Sequence, residues 1–171
     1  MYFFLLIIHT KKKEEKEKYM VLTQKETAAL KDLQTQEASC VQKYTRYSQE
    51  ANDPQLKNLF EHISKEEQKH YNSLGQALNG AVPQADCNDT QGRNYQPKAH
   101  YTASDSSPEK KNDTFLVTDC IGTEKLVSGE YNTDVFIFGD SDIRKLLADI
   151  QIEEQNHAEM LWKYKTVNSM T

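Results

Sequence analysis

Two stretches of this chain, "KEEQKHYNSL" and "IEEQNHAEML", place a glutamate and a histidine where an apolar helical seam would otherwise continue. In the second, Ile143, Leu147, Ile150, Glu154, His157, Leu161 and Tyr164 fall alternately four and three residues apart, the spacing of one face of an α-helix. In the first, Leu56, Phe60, Ile63, Glu67, His70 and Leu74 keep the same alternation. Residues at i and i+3 share a helical face, so both Glu-x-x-His pairs point inward with the seams they interrupt. One Glu-x-x-His carries little information by itself, because such pairs occur by chance on solvated helices. Two of them in register with two seams ask for a fold that gathers both helices round one polar centre.

The remaining helices follow from local signals. Thr23 and Glu26 form a capping-box pattern, which starts a first helix running to about residue 50. Its seam is Leu30, Leu33, Glu37, Cys40, Tyr44 and Tyr47, with one inward glutamate. Asn52 or Asp53 caps the second helix and Pro54 occupies its first position, where a missing N–H costs nothing; Asn79 and Gly80 end it. Residues 80–112, rich in Pro, Ser, Asn and Asp and without apolar period, read as a linker. Apolar residues resume at 113, where Thr123, Val127, Glu130, Asp134 and Ile137 fit a third helical stripe that offers Glu130 to the interior. "GDSD" at 139–142 ends that helix and caps the fourth, which runs to about residue 165.

The reading is therefore all-α: a four-helix up-down bundle with a long crossover between the second and third helices. Residues 20–79 carry the first two helices, 80–112 the linker and 113–167 the last two, forming a single domain over 20–167. A length of 171 residues suits one domain. Residues 1–19 are expected to be an extension outside the fold, with Met20 as a plausible working start. Their apolar run, 2–8, has no preceding basic residue and no small-residue cleavage site, and it falls far short of the roughly 20 residues a spanning helix needs. No membrane association is expected.

A net charge of -5, with acids and bases interleaved along the helices, argues against nucleic acid as a partner. The three cysteines, Cys40, Cys87 and Cys120, show no CxxC spacing, which indicates neither a disulfide framework nor a zinc knuckle and points to a reducing compartment. Cys40 lies on a seam and reads as a small core residue. Tyr44, Tyr47, Tyr71, Tyr131 and Tyr164 read as bundle-edge packing with hydroxyls reaching water or a carboxylate.

Six residues are thus expected to converge: Glu37, Glu67, His70, Glu130, Glu154 and His157. Four carboxylates in a low-dielectric core cannot all stay ionised, since burial and mutual repulsion both raise their pKa. Two divalent cations resolve this by neutralising the acids while each histidine binds one ion. Oxygen and imidazole donors without thiolate suit iron or manganese, and zinc also accepts them. Glu66 and Glu153, beside the inward glutamates, are open to either reading, ligand or surface charge.

"LTQKETAALKDLQTQEASCVQKYTRYSQEANDPQLKNLF", "TEKLVSGEYNTDVFIF" and "IRKLLADIQIEEQNHAEML" resemble the coat F-type spore coat proteins of spore-forming Firmicutes, over roughly residues 20–165. "NDPQLKNLF" and "IQIEEQNH" are the most specific pieces. The resemblance implies a ferritin-like fold and a structural role: made in the mother-cell cytoplasm, deposited in the coat, with other coat proteins as partners and no catalytic residues. More widely the chain resembles rubrerythrins, in which the four helices carry Glu, Glu-x-x-His, Glu and Glu-x-x-His in that order. "SGEYNT" around Glu130 has that look. Rubrerythrins carry a further glutamate one turn later, where Thr133 and Asp134 stand here, and these residues include no rubredoxin-like cysteine pair. This alternative implies a di-iron or di-manganese oxidoreductase, of peroxidase or oxidase type, or a metal-handling protein. A homodimer exchanging the two helical hairpins would bury the same seams.

Overall fold

The computed structural model describes residues 21–84 and 90–170, and all its regular elements are helical. The expected extension 1–19 and Cys87 lie outside the described residues. The helices are α1 (Gln24–Glu50), α2 (Pro54–Leu78), α3 (Gln91–Asn94), α4 (Pro108–Asp134) and α5 (Ser141–Val167), with a 3₁₀ turn at Val135–Ile137. Each long helix begins on a side-chain cap. Thr23 and Glu26 close a capping box, Asp53 accepts from the amide of Gln55, Ser107 from that of Lys110, and Asp140 from those of Asp142 and Ile143. Beyond α2, Gly80 takes φ 85°, the left-handed conformation that ends a helix at little steric cost.

The architecture is two antiparallel hairpins, α1 with α2 and α4 with α5, packed into a ferritin-like helical bundle. The expected seams of α1, α2 and α5 are buried throughout except for Tyr47, which is half-buried. α4 departs from the expected stripe. Its buried residues include Leu116, Val117, Cys120, Glu124, Val127 and Tyr131, whereas Glu130 is exposed and Thr123 and Asp134 are half-buried. Both series alternate steps of three and four through Val127, so spacing alone did not separate them.

From residue 90 on, the segment read as a linker is organised, and it gives way to a helix sooner than expected. α4 starts at Pro108 rather than near 113, and α3 lies against α5. There the amide of Gly92 donates to Asn156 Oδ1 at 3.0 Å, and Lys163 Nζ donates to the Gly92 carbonyl at 2.6 Å. A Cβ on Gly92 would stand 2.5 Å from Glu159 Oε2 and 2.8 Å from Asn156 Oδ1, so any larger residue here would displace the side chains that dock α3. Further along, the amides of His100 and Tyr101 donate to Asn168 Oδ1. The crossover is thereby tied to α5 at two places, around Gly92 and at His100–Tyr101.

Candidate metal centre

Midway along the bundle, α1 contributes Glu37, α2 Glu67 and His70, α4 Glu124, and α5 Glu154 and His157, all buried. They form two overlapping groups of potential ligands: Glu37, Glu67, His70 and Glu154 in one, and Glu67, Glu124, Glu154 and His157 in the other. Within each group, one ligand atom per residue lies within 4.8 Å of all the rest. Glu67 and Glu154 belong to both groups, the position a bridging carboxylate takes between two ions. His70 Nδ1 stands 3.0 Å from Glu154, 3.3 Å from Glu67 and 3.7 Å from Glu37. His157 Nδ1 stands 3.1 Å from Glu67 and 3.5 Å from Glu124. Both imidazoles therefore face the centre through Nδ1.

Glu130 does not take part. The sequence pattern offered it as the inward glutamate of α4, but it lines an outer groove with Asp32, Thr133 and Asp134. Glu124, one and a half turns earlier, fills that role. A signal for it exists in the chain: Glu37 and Tyr44 on α1 have the same separation as Glu124 and Tyr131 on α4. The structure shows why that repeat matters. Tyr44 donates its hydroxyl to Glu124 Oε1, and Tyr131 donates to Glu37 Oε1, so each helix braces the carboxylate of the other. Both phenols are fully buried, and burial pushes their pKa well above the ordinary value, which keeps them as donors. With one oxygen so held, each glutamate directs its Oε2 inward.

Those inward atoms lie close to one another but make no hydrogen bond. Glu37 Oε2, both oxygens of Glu67, Glu124 Oε2, both oxygens of Glu154, and Nδ1 of His70 and of His157 are buried without a hydrogen bond. Buried polar atoms are ordinarily paired, and eight orphans aimed at one volume match the donors that two cations would require. The donor set fits a pair of divalent cations. In the metal-free protein, protons take part of that load. Burial pushes Glu37 up to about 7, and burial together with the Glu67 and Glu124 charges raises Glu154 well above the carboxylate range. Burial would likewise raise Glu67, but the His157 and His70 rings more than reverse it. Burial disfavours the charged imidazoles, yet the surrounding carboxylates hold both histidines well above their ordinary pKa. Cys40 is buried beside this cluster; burial and the neighbouring carboxylates push its thiol far up, so it remains a core thiol.

A family model described as rubrerythrin matches residues 29–165. The chain belongs to the rubrerythrin family. No curated protein and no solved structure matches it. The matched range takes in all six residues of the buried cluster, both tyrosines that brace it, and the crossover. Among the described residues no helix is long and apolar enough to cross a membrane.

Proposed function

We propose that this rubrerythrin-family chain is a dinuclear metal protein holding two iron or manganese ions. Glu37 and His70 would hold one ion, Glu124 and His157 the other, and Glu67 and Glu154 would bridge them. The observation that carries this reading is the set of eight inward-facing donor atoms without a hydrogen bond, divided into two groups that share two carboxylates. Such an ion pair supplies two-electron redox chemistry toward oxygen or peroxide when bound. The chain's own part is to orient Glu37 and Glu124 through Tyr131 and Tyr44, to keep Nδ1 of each histidine facing the ions, and to surround the site with buried side chains.

The test is metal content by mass spectrometry on protein purified without chelator, beside a Glu67→Ala/Glu154→Ala variant. About two equivalents of iron or manganese, lost in the variant, are expected for a dinuclear site. A wild-type protein free of metal after anaerobic loading with ferrous ion would overturn the reading.

A structural place in the spore coat is the second reading. It is supported by the coat F-like sequence pieces and by the exposed apolar side chains of Phe115, Leu126 and Phe136, which suit packing against other coat proteins. Immunogold labelling of sectioned spores tests it: label confined to the coat is the expected result, and label absent from spores removes it. The two readings are compatible, since a coat protein that holds two ions is stabilised by them.

A further inference from the structure

The two halves of the cluster repeat one motif, Glu-Glu-Gln-x-His, at 66–70 and 153–157, and differ inside it only at the fourth position: Lys69 in α2, Asn156 in α5. That difference changes what the first glutamate does. In α2, Lys69 Nζ donates to both oxygens of Glu66 at 2.8 Å. In α5, Asn156 turns instead to the Gly92 amide and the Ile152 carbonyl, leaving Glu153 to reach across the bundle. Glu153 Oε2 lies 2.5 Å from His70 Nε2. Among the described residues, the ion pairs of His157 are those of its Nδ1 with Glu67 and Glu124, so its Nε2 has no such carboxylate.

We propose that Glu153 is a positioning residue for one half of the metal centre, acting through His70 and not as a ligand. The inference rests on the dinuclear reading above. An ionised carboxylate only accepts hydrogen bonds, so its contact places a proton on Nε2 and leaves Nδ1, which faces Glu37, Glu67 and Glu154, as the nitrogen whose lone pair a bound ion would take. It also fixes the plane of the ring. Glu153 and His70 together form part of the wall of a cleft of about 280 Å³ that Glu66 and Lys69 also line, so the bond closes the His70 side of the centre against that cleft. An ion held by His70 would therefore be buttressed from outside by a carboxylate, whereas among the described residues one held by His157 would have no such carboxylate behind it. The two sites are built unequal.

The experiment is a cobalt(II) titration of the full metal-free chain, followed by visible absorption and calorimetry, for wild type, Glu153→Ala, Glu153→Gln and Glu66→Ala. Wild type is expected to take up two equivalents. Glu153→Ala should weaken one of them by about 10–100-fold and leave the other unchanged. Glu153→Gln, whose amide oxygen still accepts from Nε2, should recover part of that loss, and Glu66→Ala should titrate like wild type. An unchanged Glu153→Ala titration, or equal weakening of both equivalents, overturns the proposal. If wild type takes up no cobalt, the dinuclear reading fails and Glu153 is judged on the histidine ring protons by NMR. A His70 Nε2 proton seen in wild type and in Glu153→Gln but lost in Glu153→Ala upholds the positioning role, and a signal indifferent to the substitutions removes it.

Discussion

Glu124 and Glu130 are the same residue type on the same helix, and their environments set them apart. Glu124 is 1% exposed, receives the Tyr44 hydroxyl and faces His157, whereas Glu130 stands on an outer groove. Replacing Glu124 by alanine removes a donor from the group that contains His157. The expected outcome is weakening of one equivalent of metal by more than the roughly 10–100-fold that an outer partner costs. Glu130→Ala is expected to bind two equivalents with wild-type affinity. Equilibrium dialysis against ferrous or manganous ion checks both, and a Glu130→Ala protein that loses an equivalent would contradict the placement. At this scale Glu37, Glu67, His70, Glu154 and His157 were legible, because each interrupts a seam whose apolar members bury on one face only. Glu124 was not, because α4 carries apolar side chains on its outer side as well, at Phe115 and Leu126. Without a polar face to contrast, a stepping pattern through Val127 has two solutions. The likeness of "SGEYNT" around Glu130 to the rubrerythrin pattern favoured the wrong one.

Among the elements, α4 shows how a distant helix start is held in place. Asp113, fully buried one turn into α4, accepts the amides of Asn52 and Asp53 at 2.8 and 2.9 Å, where α1 turns into α2. It also accepts the Tyr101 hydroxyl from the crossover at 2.8 Å, while Tyr164 of α5 donates to Asp53 at 2.7 Å. One carboxylate thus joins the α1–α2 turn, the crossover and α4, and Asp53 adds α5. Asp113→Ala would leave two backbone amides without their acceptor, at a cost of about 3 kcal/mol. For a chain of this size that lowers the melting temperature by roughly 6–12 °C, measurable by calorimetry. Tyr101→Phe removes one donor and should cost about 1 kcal/mol. An Asp113→Ala protein that melts with wild type would show the turn to be held by other contacts. The start of α4 was available in the sequence: Ser107 and Pro108 repeat the cap-and-proline arrangement of Asp53 and Pro54. The polar composition around them obscured it. The docking of α3 had no comparable local signal, since a single helical turn gains its stability from contact with α5 and not from its own residues.

On the scale of the whole molecule, the bundle encloses a charge problem that protons solve in one state and cations in the other. Glu37, Glu154, His70 and His157 all have folded pKa values above their ordinary ones, whereas Glu67 and Glu153, held down by the histidine rings, run the other way below the ordinary carboxylate value. Across the window that Glu37 marks, from the ordinary 4.5 to about 7, the metal-free folded chain therefore binds more protons than the unfolded chain. The histidines extend that excess upward from their ordinary 6.5. Stability changes with pH in proportion to protons bound unfolded minus protons bound folded, so its slope here is negative. The contribution is full below the ordinary carboxylate pKa and is lost as pH rises through the folded values. Metal-free protein is accordingly expected to lose melting temperature between about pH 5 and pH 8. In the loaded protein the cations replace the protons, so the same scan should be much flatter and lie higher. Uptake must also release protons, which makes apparent metal affinity climb with pH. Calorimetric melts of metal-free and loaded protein across this range, with a pH indicator reading proton release on loading, check the three consequences together. A metal-free protein that gains stability over the window, or loading without proton release, would mean that the buried glutamates and histidines do not share protons as the geometry requires.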